Sequence, residues 1–272
     1  MISSDFTNVA TPPIPEPPKT FKIGNTTFEY PDDKTIAECE QLGQEIISKF
    51  PPSQYCYIGF GYHPHILFAW LEAKNISSDT AQIPLSEFRL CPHDGYGLYP
   101  IKAPILPTSQ QCEILYQHFD TYLEDLIKTA KHWLIIDVAE TGNNLCSAGF
   151  ALSHYLASHN VEKKIELLAI AENDQIPSTY FNLGMNLAMV QPNTGVQNYV
   201  TGLELFIILG GGTDIAPFQK FNWQDLREMS ESPKKVEPSP QYQKLVEYLS
   251  SWKKHPQLDV AWGITLTTQS TS

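Results

Sequence analysis

The sequence predicts an α/β fold, a mostly parallel central sheet flanked by helices, and three observations carry that prediction. Largely apolar runs at residues 55–61, 133–138 and 164–171 have the hydrophobicity of strands buried on both faces. Segments with apolar residues at helical spacing stand between them. The first two runs also end in glycine or polar turns that open into helices, which is the first half of a βαβ unit. The composition agrees. A chain of 272 residues, 42% hydrophobic and 11% aromatic, is globular and long enough for one large core. Its 18 Lys+Arg stand against 30 Asp+Glu, a net charge of −12. That balance argues against nucleic acid and against anionic lipid as partners. No apolar run reaches the roughly 18 residues of a membrane span. Residues 1–5 have neither a basic nor an apolar signal segment, so a cytoplasmic location is expected.

The elements follow in order. Residues 1–20 hold the run 11–18, in which five of eight positions are proline, and form a proline-rich arm that can sustain neither helix nor central strand. Residues 21–30 read as a hairpin turning at Gly24 and Asn25. Ile36, Cys39, Leu42, Ile46 and Ile47 mark a helix over 33–49, which Pro51 and Pro52 stop. The strand at 55–61 leads into a helix at 64–74 with Ile66, Leu67, Trp70 and Leu71 on one face. Residues 85–90 read as the second strand, and 91–108 as a long loop rich in turn formers. A helix at about 109–131, a strand at 133–138, a helix at 145–159 and a strand at 164–171 complete the clearest βαβ units. A helix at about 178–189 and a final strand at 205–209 are expected next, ending in Gly210, Gly211 and Gly212. The α/β domain is thus expected over 21–228. Residues 229–272 read as a linker and a C-terminal helical extension (helix about 241–253) with a polar tail.

The chemistry is expected beyond the carboxyl ends of the strands, where open parallel sheets bind ligands. Asp137 ends an apolar strand, so its carboxylate is held rigidly and can accept hydrogen bonds from a sugar diol. Thr141, Gly142, Asn143 and Asn144 form a turn opening a helix, with the free N–H groups and positive dipole end that favour phosphate. Capping alone explains the same residues equally well on spacing. Gly61, Tyr62 and His63 follow the first strand. His63 and His65 form an H-x-H pair with no third ligand nearby in sequence. The five cysteines include no C-x-x-C and read as reduced thiols.

Residues 134–145, LIIDVAETGNNL, resemble the PRPP-binding motif of type I phosphoribosyltransferases: a hydrophobic strand, two acids, a short variable stretch, Thr-Gly, and a phosphate turn. Asp137 matches the second acid, Thr141 and Gly142 match the phosphate turn, and Asn144 falls where threonine is usual. Ile136 stands where the first acid would. The turn at Gly61, Tyr62 and His63 occupies the place of the family's pyrophosphate loop, and 91–108 the place of its hood. The resemblance implies a phosphoribosyltransferase-like protein that binds PRPP or another phosphorylated sugar or nucleotide. Asp137 and Glu140 would be its catalytic carboxylates and Mg²⁺ its cofactor, and a phosphoribosyl group would pass to a nitrogen acceptor. The alternative is a catalytically inactive protein of the same fold, an accessory or secreted factor that meets a protein partner through the N-terminal arm.

Overall fold

The computed structural model describes residues 18–90, 107–138, 143–170, 196–201, 215–219, 221–253 and 265–268. It opens with a hairpin, β1 (Thr20–Ile23) and β2 (Thr26–Glu29), whose turn Gly24 makes at φ +59°. Helix α1 (Asp33–Lys49) begins where Asp32 accepts the Thr35 N–H at 2.7 Å, and it ends before the Pro51-Pro52 pair. Strand β3 (Tyr55–Phe60) is buried throughout and leads into α2 (His65–Ala73). Then come β4 (Thr80–Ile83), the two-residue β5 (Leu85–Ser86) and α3 (Ser109–Lys128), which starts in a capping box of Thr108 and Gln111. Next are β6 (His132–Val138), α4 (Asn143–Ser158), β7 (Ile165–Ile170) and β8 (Val196–Thr201). The chain closes with β9 (Phe221–Asn222), α5 (Trp223–Leu226), α6 (Pro240–Ser251, capped by Ser239) and β10 (Thr265–Thr268).

The main sheet runs β10-β8-β7-β6-β3-β4. The five strands from β4 to β8 pair in parallel, and β10 closes one edge antiparallel to β8. This is the expected α/β class with a mostly parallel sheet. Alternation along the strands divides the core into two layers. Cys56, Ile58, Trp133, Ile135 and Leu167 face α3 and α4, whereas Tyr57, Leu134, Ile136 and Leu168 face α1, α2 and α6. Helix α2 is apolar all round, with His65 through Leu71 buried, because it lies between the sheet, α1 and α6. The hairpin docks through its own aromatics: Tyr30 stacks on Tyr248 of α6 at 4.0 Å.

The structure corrects the expected elements in several places. The second parallel strand is β4, not 85–90. Leu85, Phe88 and Leu90 are buried and so read as a strand, but Glu87 at φ +52° breaks the extended run, leaving only β5 paired with β9. Helix α3 stops at Lys128 rather than 131, because Thr129 is extended and its hydroxyl donates to the Leu126 carbonyl. The polar tail contributes β10, whose threonines suit an edge strand. Strand β8 was not expected. The arm at 1–17, the loop at 91–106, the helix at 178–189, the strand at 205–209 and the triglycine lie outside the described residues.

One close approach sets the α1–α2 contact. A methyl group added at Gly43 would overlap the Trp70 ring, which is itself fully buried. Gly43→Ala is therefore expected to destabilise the fold by about 1–3 kcal/mol, the usual cost of overpacking. A urea melt showing no change would mean that α1 shifts freely on α2.

Candidate functional site

The order of the parallel strands reverses between β3 and β6. After β3 the chain crosses to β4 on one side, and from β6 onward it runs to β7 and β8 on the other. In open α/β sheets, ligands commonly bind in a crevice beyond the carboxyl ends of the strands at such a reversal.

The β3 side is built by two glycines. Gly59 lets α2 lie close on the strand, since an added Cβ would come within 2.7 Å of Phe68. Gly61 turns the chain at φ +65° and donates its N–H to the Ile83 carbonyl at 2.9 Å. Tyr62 follows: its hydroxyl donates to the Phe218 carbonyl, and its ring meets Phe218 edge-on at 5.3 Å. The Tyr62 carbonyl accepts two bonds from His65, one from its N–H at 3.0 Å and one from Nδ1 at 2.7 Å. Donation from Nδ1 leaves Nε2 as the acceptor of the neutral ring, and that atom is buried without a partner. Burial pushes the His65 pKa down to about 4, so the ring stays neutral near pH 7.

The β6 side carries Asp137, 3% exposed, pointing toward the α3–α4 layer with Trp133 and Ile135. Its Oδ1 makes no hydrogen bond, and lies 3.9 Å from Nδ1 of the half-exposed His63. Burial raises the carboxyl well above its ordinary range, and donation from the Val138 N–H opposes the rise. Beyond the strand, Asn144 in the first turn of α4 has a buried Oδ1 with no partner. Ser147, one turn on, accepts the Leu90 N–H at 3.0 Å.

At the opposite, amino-terminal edge of the sheet several polar groups are paired, although the buried Trp133 Nε1 is not. Tyr55 donates to Glu166 at 2.8 Å, Cys56 meets Thr129 at 3.3 Å, and Lys163 donates to the carbonyls of Thr129 and Lys131. Buried polar atoms left unpaired cost about 1–3 kcal/mol each, and on the carboxyl side Asp137, Asn144 and His65 each carry one. A concavity of about 140 Å³ lies between α3 and α4 against Leu90, Leu115, Phe150 and Ala151, and its lining is mostly apolar.

The structure thus brings together His63 and Asp137, and places Gly61 and Tyr62 beside them. Asn143 and Asn144 sit at the start of α4 as expected. Glu140, Thr141 and Gly142 lie outside the described residues. The H-x-H pair is divided between two jobs, His65 folded onto Tyr62 and His63 turned to Asp137, and among the described residues no group of three potential ligands stands together. No sequence signal pointed to Phe218, which fixes Tyr62 from a distant segment. No described helix is long and apolar enough to cross a membrane. Compared with family models, curated proteins and solved structures, the chain shows no match.

Proposed function

We propose that the crevice between β3 and β6 binds a ribose 5-phosphate-type ligand, and that the protein is a divergent phosphoribosyltransferase-like protein. The observation that carries this reading is the Asp137 carboxyl, buried at the end of β6 with an unpaired oxygen and facing the turn after β3. Sugar hydroxyls donating to that carboxyl would replace the hydration it has lost and favour its ionised form. The Thr141-Gly142 turn and the start of α4 would receive the 5′-phosphate. Tyr62 and His63 would face a diphosphate on the sugar's C1. In transfer, the C1–O bond breaks with its electron pair leaving on diphosphate, the C1–N bond forms, and the acceptor nitrogen gives up a proton. Mg²⁺ in this reading enters as the counter-ion of the diphosphate, because the described residues build no centre of their own for it.

One observation favours a second reading, binding without turnover. Ile136, where the resemblance calls for an acid, is fully buried in the opposite core layer. The protein would then be a ligand-responsive interaction protein.

Calorimetric titration of the full chain with PRPP and Mg²⁺, ribose 5-phosphate and nucleoside monophosphates tests both. Saturable binding that Asp137→Ala abolishes in a folded protein is expected. A folded wild type that takes up none of them would overturn the reading. Release of diphosphate on adding nitrogen acceptors separates transfer from binding alone.

A further inference from the structure

We infer that His63 is the acid–base group of this crevice and Asp137 its positioning partner, the two facing each other across the junction of β3 and β6. The inference rests on the ligand reading above but goes beyond it, since the resemblance assigned His63 only a place near the diphosphate. The geometry is that of a half-exposed imidazole backed by a buried carboxyl: Nδ1 of His63 lies 3.9 Å from Asp137 Oδ1, and the His63 side chain is 50% exposed while that of Asp137 is 4% exposed. A carboxylate behind one ring nitrogen selects the tautomer that bears its proton on that nitrogen and stabilises the imidazolium. The separation exceeds a hydrogen bond, and such contacts commonly tighten only when ligand is bound.

The charges then follow. Asp137 has no hydrogen bond at Oδ1, and burial favours its protonated form. A sugar hydroxyl donating to Asp137 favours carboxylate, and a phosphate oxygen at His63 favours imidazolium. Ligand therefore drives the pair into its charge-separated form. If C1–O cleavage follows, the His63 proton passes to the departing diphosphate oxygen, and the acceptor's N–H proton restores the imidazolium. Of the titratable groups near His63, Asp137 comes from β6 and His65 from α2, and His65 remains neutral to about pH 4. The neighbouring Tyr62 hydroxyl is held by the Phe218 carbonyl.

Two measurements on the full chain test this. In ¹H–¹⁵N spectra of the neutral imidazoles, His63 is expected as the Nδ1–H tautomer in the wild type and to move toward the Nε2–H tautomer in Asp137→Ala, which removes the acceptor behind Nδ1. An unmoved tautomer balance overturns the positioning role. Calorimetry with PRPP and Mg²⁺ at roughly pH 8, in two buffers of different ionisation enthalpy, is expected to show little net proton exchange in the wild type, because the proton that leaves Asp137 is taken by His63. His63→Gln should bind more weakly and release a proton, since Asp137 then ionises with no imidazole to receive it. Binding with unchanged proton exchange in His63→Gln overturns the acid–base role and leaves the ligand reading standing. A folded wild type that binds neither PRPP nor ribose 5-phosphate overturns both.

Discussion

Asp137→Asn is expected to make the protein more stable near neutral pH and unable to hold its ligand. In the folded chain the carboxyl is buried and raised above its ordinary range, whereas in the unfolded chain it titrates near its ordinary value of 3.8. A raised carboxyl favours folding only while protonated, so its presence lowers stability progressively as pH rises from the unfolded value toward the folded one. The amide has nearly the same shape and no charge to desolvate. The gain is expected to be absent near pH 3 and to reach about 1 kcal/mol or more around pH 8, with the attraction of His63 keeping it from being larger. A urea midpoint that rises at pH 8 but not at acid pH is the expected pattern. A midpoint that falls at pH 8 would show that the ionised carboxylate holds the fold together, and would remove the argument that Asp137 is kept for binding. Stability gained together with binding lost is the signature of a functional group in a strained setting.

Acid is expected to unfold the protein well before its carboxylates are all protonated, because two histidines are buried in their neutral form. His65 and His118 both have pKa values pushed down to about 4 from 6.5. The cause for each is burial, and His118 is 0% exposed with neither ring nitrogen hydrogen-bonded. Tyr122 and Phe221 stand edge-on to its ring at 5.2 and 5.7 Å. A depressed histidine contributes stability that is complete above 6.5 and is lost as pH falls toward 4, up to roughly 3 kcal/mol for each. Asp137 works in the other direction over the same window, so Asp137→Asn should steepen the acid loss. His118→Leu should flatten it by about half, since an apolar side chain of similar volume has nothing to protonate and leaves no polar atom unpaired. The check is the urea midpoint measured at several pH values from 7 down to about 4. If His118→Leu follows the wild-type curve throughout, His118 is solvated in solution and the acid sensitivity resides elsewhere.

Much of the architecture was legible from local pattern. The runs that became β3, β6 and β7 are mostly apolar because each lies between two parallel neighbours and under helices on both faces. Helices α1 and α3 declared themselves by apolar spacing, whereas the caps Asp32, Thr108 and Ser239 emerged only from the structure. What failed was at the margins of the sheet. The strands β4, β8 and β10 are short or polar, and 85–90 looked more like a strand than 80–83 did. Periodicity measures burial, and Leu85, Phe88 and Leu90 are buried by side-chain packing without belonging to a ladder.

For the site, the sequence by itself determined that a carboxylate would stand at the end of a buried strand and that a glycine turn with Tyr62 and His63 would end another. Those are local facts, set by where an apolar run stops. Only the tertiary structure decided that the two ends are neighbours. The pairing of β3 with both β4 and β6 puts the reversal of strand order between them. That places Asp137 within ion-pair distance of His63, turns His65 away onto the Tyr62 carbonyl, and strips water from the Asp137 carboxyl. The order of strands comes from crossovers that pack helices on both faces of a twisted sheet. It is a property of the assembled layers, and no stretch of chain a dozen residues long can contain it.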